Sequence, residues 1–123
     1  MAQPAPFIFE HIPKTAGTTF NLSYLAAAFP SEEIIIVPGY ARQNREGLDN
    51  LIARPLSERL RLKMIAGHNT GLLRPHFPAA RWLTLVRDPV ERVISSYLHS
   101  RFHVDTRETR GKEIESSKLS VAQ

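Results

Sequence analysis

Phe7-Ile8-Phe9-Glu10-His11-Ile12-Pro13-Lys14-Thr15-Ala16-Gly17-Thr18-Thr19 carries the change of pattern that decides the fold. Pro6 to Glu10 predicts a short buried strand, because consecutive β-favouring apolar residues suit a central parallel strand covered on both faces. Pro13 and Gly17 then punctuate a turn, and Thr18 to Phe29 reads as a well-buried helix that stops at Pro30. A helix N-terminus offers unpaired amide N–H groups and a partial positive charge, so this loop can wrap a phosphate or sulfate while Lys14 neutralises it. Taken alone, the loop reads equally as a capped turn with an exposed lysine. It is not the G-x-x-x-x-G-K-[ST] loop, because here the lysine precedes a single glycine, and an ATP or GTP motor is disfavoured.

Outward along the chain, Glu33 to Val37 predicts a second strand closed by Pro38-Gly39. Arg42 to Asn50 reads as a polar loop leading to a helical region near Leu51 to Leu60 that Pro55 breaks. Lys63 to Ala66 predicts a third strand ending at Gly67-His68, and Trp82 to Val86 a fourth. Beyond it Asp88 is an N-cap, Pro89 takes the first helical position, and Glu91 completes a capping box. Val90, Val93, Ile94, Tyr97 and Leu98 recur at helical spacing as a core face, with Arg92, Ser95, Ser96 and His99 opposite. After Phe102 the apolar pattern stops, so residues 1–102 form the predicted core and 103–123 a polar, mobile tail or frayed helix. Strands alternating with helices predict an α/β fold, a parallel sheet between two helical layers, with ligands outside the carboxyl ends of the strands.

Composition narrows the function classes. The 123 residues, 42% hydrophobic and 23% charged, fit one modest globular domain. A formal charge of +4 suits an anionic ligand but is too small and scattered to indicate nucleic acid. No cysteine is present and the five histidines lack ligand spacing, so no metal site is expected. The longest aliphatic run, Ile34 to Val37, is too short to span a bilayer, and no leader is recognisable before the first strand. No membrane partner and a cytoplasmic location are the corresponding expectations.

Two further strand ends carry chemistry. Arg87 offers a fork of donors at the start of the last helix, and Ser95, about 11 Å along its axis, offers a hydroxyl that can reach the same phosphate. An ion pair of Arg87 with Asp88 or Glu91, and a solvated Ser95, are the plainer alternatives. Histidine is the side chain that most readily exchanges a proton near neutral pH, so His68, at a strand end after Gly67, can take a proton from a hydroxyl, or can be a hydrogen-bonded structural histidine.

The string from Phe9 to Phe20 resembles the 5′-phosphosulfate loop of sulfotransferases that use 3′-phosphoadenosine 5′-phosphosulfate (PAPS). Leu85 to Tyr97, with Arg87-Asp88-Pro89 and Ser95, resembles their 3′-phosphate motif. Two matches in the right order are far more specific than either alone. The resemblance covers Phe7 to about Phe102 and implies the three-layer sulfotransferase fold related to P-loop nucleotide kinases, here incomplete at its C-terminal side. It implies that Lys14 contacts the phosphosulfate, that Thr15, Ala16, Gly17, Thr18 and Thr19 hold the 5′-phosphate, and that Arg87 and Ser95 bind the 3′-phosphate. Gly67-His68 is similar to the glycine-histidine of the heparan sulfate 2-O-sulfotransferase branch, which implies His68 as the base. PAPS as donor, no metal, and a hydroxyl acceptor, a carbohydrate in that branch, complete the expectation. A binding-only remnant of a truncated sulfotransferase, or a small-molecule kinase, are the alternatives from other classes.

Overall fold

The computed structural model describes residues 2–102, apart from the side chains of Thr18, Leu22 and Phe102. The predicted tail falls outside them. The chain divides into two compact units, the first ending at Val86 and the second starting at Arg87.

The first unit is built on four strands, β1 (Phe7–Glu10), β2 (Ile34–Ile36), β3 (Met64–Gly67) and β4 (Arg81–Thr84), in the order β2-β3-β1-β4. All three pairings are parallel, with Glu10 opposite both Gly67 and Thr84. The apolar run of β1 explains its central place, since a strand flanked by sheet on both sides must be covered above and below. Ile8 and Ile65 enter one core with Val37, Leu48, Leu51, Leu73 and Phe77, while Phe9, Met64 and Ala66 enter another with Leu25. The α/β expectation therefore holds as a parallel sheet flanked by helices.

The helix expected at Thr18 spans residues 17–28 in three pieces, α1 (Gly17–Thr19), a π-helical stretch Phe20–Leu25, and α2 (Ala26–Ala28). Wide turns of this kind are rare and recur at functional sites. Leu25 is buried in the second core, and Phe20 packs edge-on to Phe9 with ring centroids 4.8 Å apart.

Residues 42–50 correct the sequence reading, for they belong to helix α3 (Ala41–Ala53) and not to a loop. Arg42 pairs with Glu46 at 2.7 Å and Arg45 with Asp49 at 3.2 Å, both one helical turn apart. Asn44, Leu48 and Leu51 make the buried stripe, so the apolar pattern is hidden where an amide takes a core position. Gly47 permits the helix to approach the sheet, because a Cβ there would lie 2.8 Å from Val37 Cγ1. Arg54 is extended before Pro55, as expected of a residue preceding proline, and a short helix α4 (Leu56–Arg59) follows. A 3₁₀ segment, Thr70–His76, joins β3 to β4 and buries Leu73.

In the second unit helix α5 (Pro89–Phe102) starts where expected. Asp88 Oδ1 accepts the Glu91 N–H at 3.0 Å and the Asp88 carbonyl accepts from Arg92 at 2.9 Å, which is the predicted cap. The stripe read as a core face differs: Val90, Val93, Ile94, Tyr97 and Leu98 lie between 46% and 66% exposed. Helical periodicity marks an apolar face but does not supply what covers it.

Candidate functional site

Parallel pairing brings the carboxyl ends of β1, β3 and β4 to one edge of the sheet. Thr84 Oγ1 donates to the Glu10 carbonyl at 2.7 Å and the His11 N–H donates to the Gly67 carbonyl at 2.8 Å, so the ladder continues into the loops. The lysine loop and Gly67-His68, two of the predicted strand ends, thus emerge beside one another. Arg87 and Ser95 belong to the second unit.

The lysine loop turns sharply. Lys14 and Ala16 have φ of 63° and 65°, a region costing roughly 1–2 kcal/mol for a residue with a Cβ. Such outliers persist only where the surroundings over-determine them, and they gather at ligand sites. Thr15 is buried and its hydroxyl donates to the Ile12 carbonyl at 2.7 Å, bracing the turn from inside. Ala16 occupies the N-cap position of the helix without any side-chain cap. A helix entered this way presents main-chain N–H groups and the positive end of its dipole, three residues along the chain from Lys14. Gly17 and Thr19 lie in its first turn, with Thr19 exposed, while the side chain of Thr18 lies outside the described residues. Gly17 is required for a different reason from phosphate contact: a Cβ there would stand 2.1 Å from His11 Cδ2 and 2.2 Å from Nε2.

His11 and His68, each 8% exposed, stack with ring centroids 4.3 Å apart, and Tyr40 stacks on the other side of His68 at 4.4 Å. His68 Nδ1 lies 2.5 Å from the His11 carbonyl oxygen. A carbonyl only accepts, so Nδ1 carries the proton and, in the neutral ring, Nε2 keeps its lone pair. That is the tautomer a general base needs. Asn44 Nδ2 donates to the His68 carbonyl at 3.0 Å and Asn69 Nδ2 to Asn44 Oδ1 at 3.2 Å, tying the loop to α3. Glu10 holds the following bend, with its carboxylate accepting the N–H of Asn69 at 3.0 Å, that of Thr70 at 2.7 Å, and the Thr70 hydroxyl. Glu10 and Asn69 also wall an open cleft of about 510 Å³ with Gly71, Leu72, Arg74 and Trp82.

Sequence reading assigned no role to Glu10, His11, Tyr40 or Asn44. A carboxylate closing a fully apolar central strand, followed at once by a histidine, was the available signal, since buried charge is retained only where it has partners. Tyr40 and Asn44 sit in or beside the stretch read as a loop and gave none.

Burial and the neighbouring His68 hold the His11 imidazole below its ordinary pKa of 6.5, with Glu10 opposing. Between that lowered value and 6.5 the unfolded chain binds more protons than the folded one, so stability falls as pH drops from about 6.5 through the lowered value. We expect the thermal midpoint to decline over this range in the wild-type protein and to decline less in His11→Phe, read by circular dichroism melts between pH 7.5 and 5. Equal declines in both proteins would remove His11 as the cause.

In the second unit Arg87 Nε lies 3.5 Å from Glu91 Oε2, with both side chains exposed. This is one of the ion pairs that the sequence left open. Such an exposed pair contributes little. Ser95 is half-buried two turns along α5.

Among the described residues no group of His, Cys, Asp or Glu could hold a metal ion, and no helix is long and apolar enough to cross a membrane. No family model matches the chain, and no solved structure does. Over 91 residues, 72% of its length, the chain is 31% identical to a protein-tyrosine sulfotransferase from Arabidopsis thaliana, of which it spans 16%. That similarity, reached independently of the site's geometry, supports a distant relationship to sulfotransferases and no finer branch.

Proposed function

We propose that the chain binds PAPS and transfers its sulfuryl group to a hydroxyl. The observation that carries this reading is the uncapped helix start at Gly17, approached by a lysine loop in left-handed conformation, with a correctly tautomerised His68 on the adjoining strand end. The donor set suits an anion: one ammonium, main-chain N–H groups and a helix dipole. Lys14 and residues 15–19 would hold the 5′-phosphosulfate, and Arg87 and Ser95 the 3′-phosphate.

PAPS supplies a sulfuryl group bonded to a phosphate oxygen that leaves well once its charge is neutralised. The bond from sulfur to that bridging oxygen breaks, a bond from sulfur to the acceptor oxygen forms, and the acceptor proton passes to His68 Nε2. Lys14 stabilises the charge growing on the leaving oxygen. Positioning and electrostatics account for such a transfer, and no step calls on a metal.

The acceptor we favour is a carbohydrate hydroxyl, on the resemblance of Gly67-His68. A tyrosyl hydroxyl is the second reading, favoured by the name of the Arabidopsis relative. Calorimetry with 3′,5′-adenosine bisphosphate and with Mg-ATP tests the nucleotide. Preference for the bisphosphate is expected, and preference for Mg-ATP would overturn the reading in favour of a kinase. Incubation with labelled PAPS and either a glycan or a tyrosyl peptide then separates the acceptors, and binding without turnover would identify a binding-only chain.

A further inference from the structure

We propose that His11 is a positioning residue for His68, acting through its main-chain oxygen and its ring together. This rests on His68 being the base in the reading above. The carbonyl of His11 fixes the proton on His68 Nδ1, and the two rings lie 4.3 Å apart and 21° from parallel. Tyr40 closes the opposite face of His68 at 4.4 Å and 26°, so the imidazole is clamped between two flat groups. Clamping a ring at both faces leaves its in-plane nitrogens as the only groups able to meet a substrate, and stops the flip that would exchange them.

His11 is itself held. Its ring edge abuts Gly17, where no Cβ can be fitted, and its Nδ1 faces Asn21 Nδ2 at 3.5 Å. Gly17 begins the helix whose N-terminus is assigned to the phosphosulfate. One ring therefore touches both the start of the helix assigned to the phosphosulfate and the base. The titratable neighbours of the pair are Glu10 from β1 and Tyr40 from the loop before α3, while Asn21 and the Asn44 amide face it without charge. Burial, and then the neighbouring His68, disfavour a positive charge on His11 beside the base.

Imidazole nitrogen shifts in ¹⁵N-labelled protein read the tautomer directly, whether or not the chain turns over. Wild type is expected to show His68 protonated at Nδ1. His11→Ala, which keeps the carbonyl but removes the ring, is expected to mix the two tautomers. It should also lower kcat roughly tenfold or more, with the KM for PAPS and the affinity for the bisphosphate within about threefold, near the usual context spread of such effects. His11→Phe, which restores a flat ring, is expected to recover most of the loss and the single tautomer. A His68 proton on Nε2 in wild type would overturn the proposal, as would an unchanged tautomer and kcat in His11→Ala. If His11→Ala fails to fold, His11→Phe decides alone: a mixed tautomer in that variant sinks the stacking role. Should wild type show no transfer, the nitrogen shifts still judge His11 while the function proposed above fails by itself.

Discussion

Replacing Lys14 with alanine is expected to lower sulfuryl transfer by about 10²–10³-fold, the loss that follows removal of one group aimed at developing negative charge. The same variant should bind 3′,5′-adenosine bisphosphate more weakly, because its 5′-phosphate loses the only side-chain cation of the loop. The backbone around it should persist, since the turn is braced by the buried Thr15 hydroxyl on Ile12 and not by the lysine. Alanine can also keep the left-handed φ of 63° at the cost already present. Calorimetry and a transfer assay on a variant with an unchanged melting temperature provide the check. Arg87→Ala should weaken the bisphosphate as well, and its effect should vanish with a ligand lacking the 3′-phosphate. If Lys14→Ala binds and turns over like wild type, the anion assignment of the loop is wrong.

The second large effect is expected at His68, where alanine should cost about 10²–10⁴ in kcat, the usual contribution of a positioned general base. Here bisphosphate affinity should be nearly unchanged, because the ring stands just past the end of β3 and not in the phosphate loop. That contrast with Lys14→Ala separates a base from a ligand-holding residue. His68→Ala also leaves a gap between His11 and Tyr40, so its stability must be followed in parallel. Full transfer by a folded His68→Ala protein would dismiss the histidine as base and return it to a structural part.

The legible part of this molecule was the part governed by backbone patterning. Phe7-Ile8-Phe9 reads as a strand, with Ile8 and Phe9 buried, and Asp88-Pro89-Val90-Glu91 as a helix start, and both stand within a residue of where they were expected. Residues 42–50 read as a loop because polarity alone resembles irregular chain. Their helix rests on one-turn ion pairs and on a buried amide that no hydropathy pattern records. At the site, Lys14 and His68 announced themselves by chemistry. Glu10, His11 and Tyr40 did not, because what they do depends on contacts between residues 57 and 60 positions apart, or across a loop, which local reading cannot see. Gly17 was seen, but for the phosphate and not for the imidazole it makes room for.

The sheet order has a consequence for how the chain comes into being. β1 is synthesised well before both of its neighbours in the sheet, β3 and β4, which lie beyond residue 63. At ordinary ribosomal speeds of about 5–20 residues per second, the Phe-Ile-Phe segment waits several seconds before anything can pair with it. Contacts so remote in sequence also slow the search once the ribosome lets go. Of the four described strands, β1 therefore waits longest during synthesis with its apolar residues unpartnered.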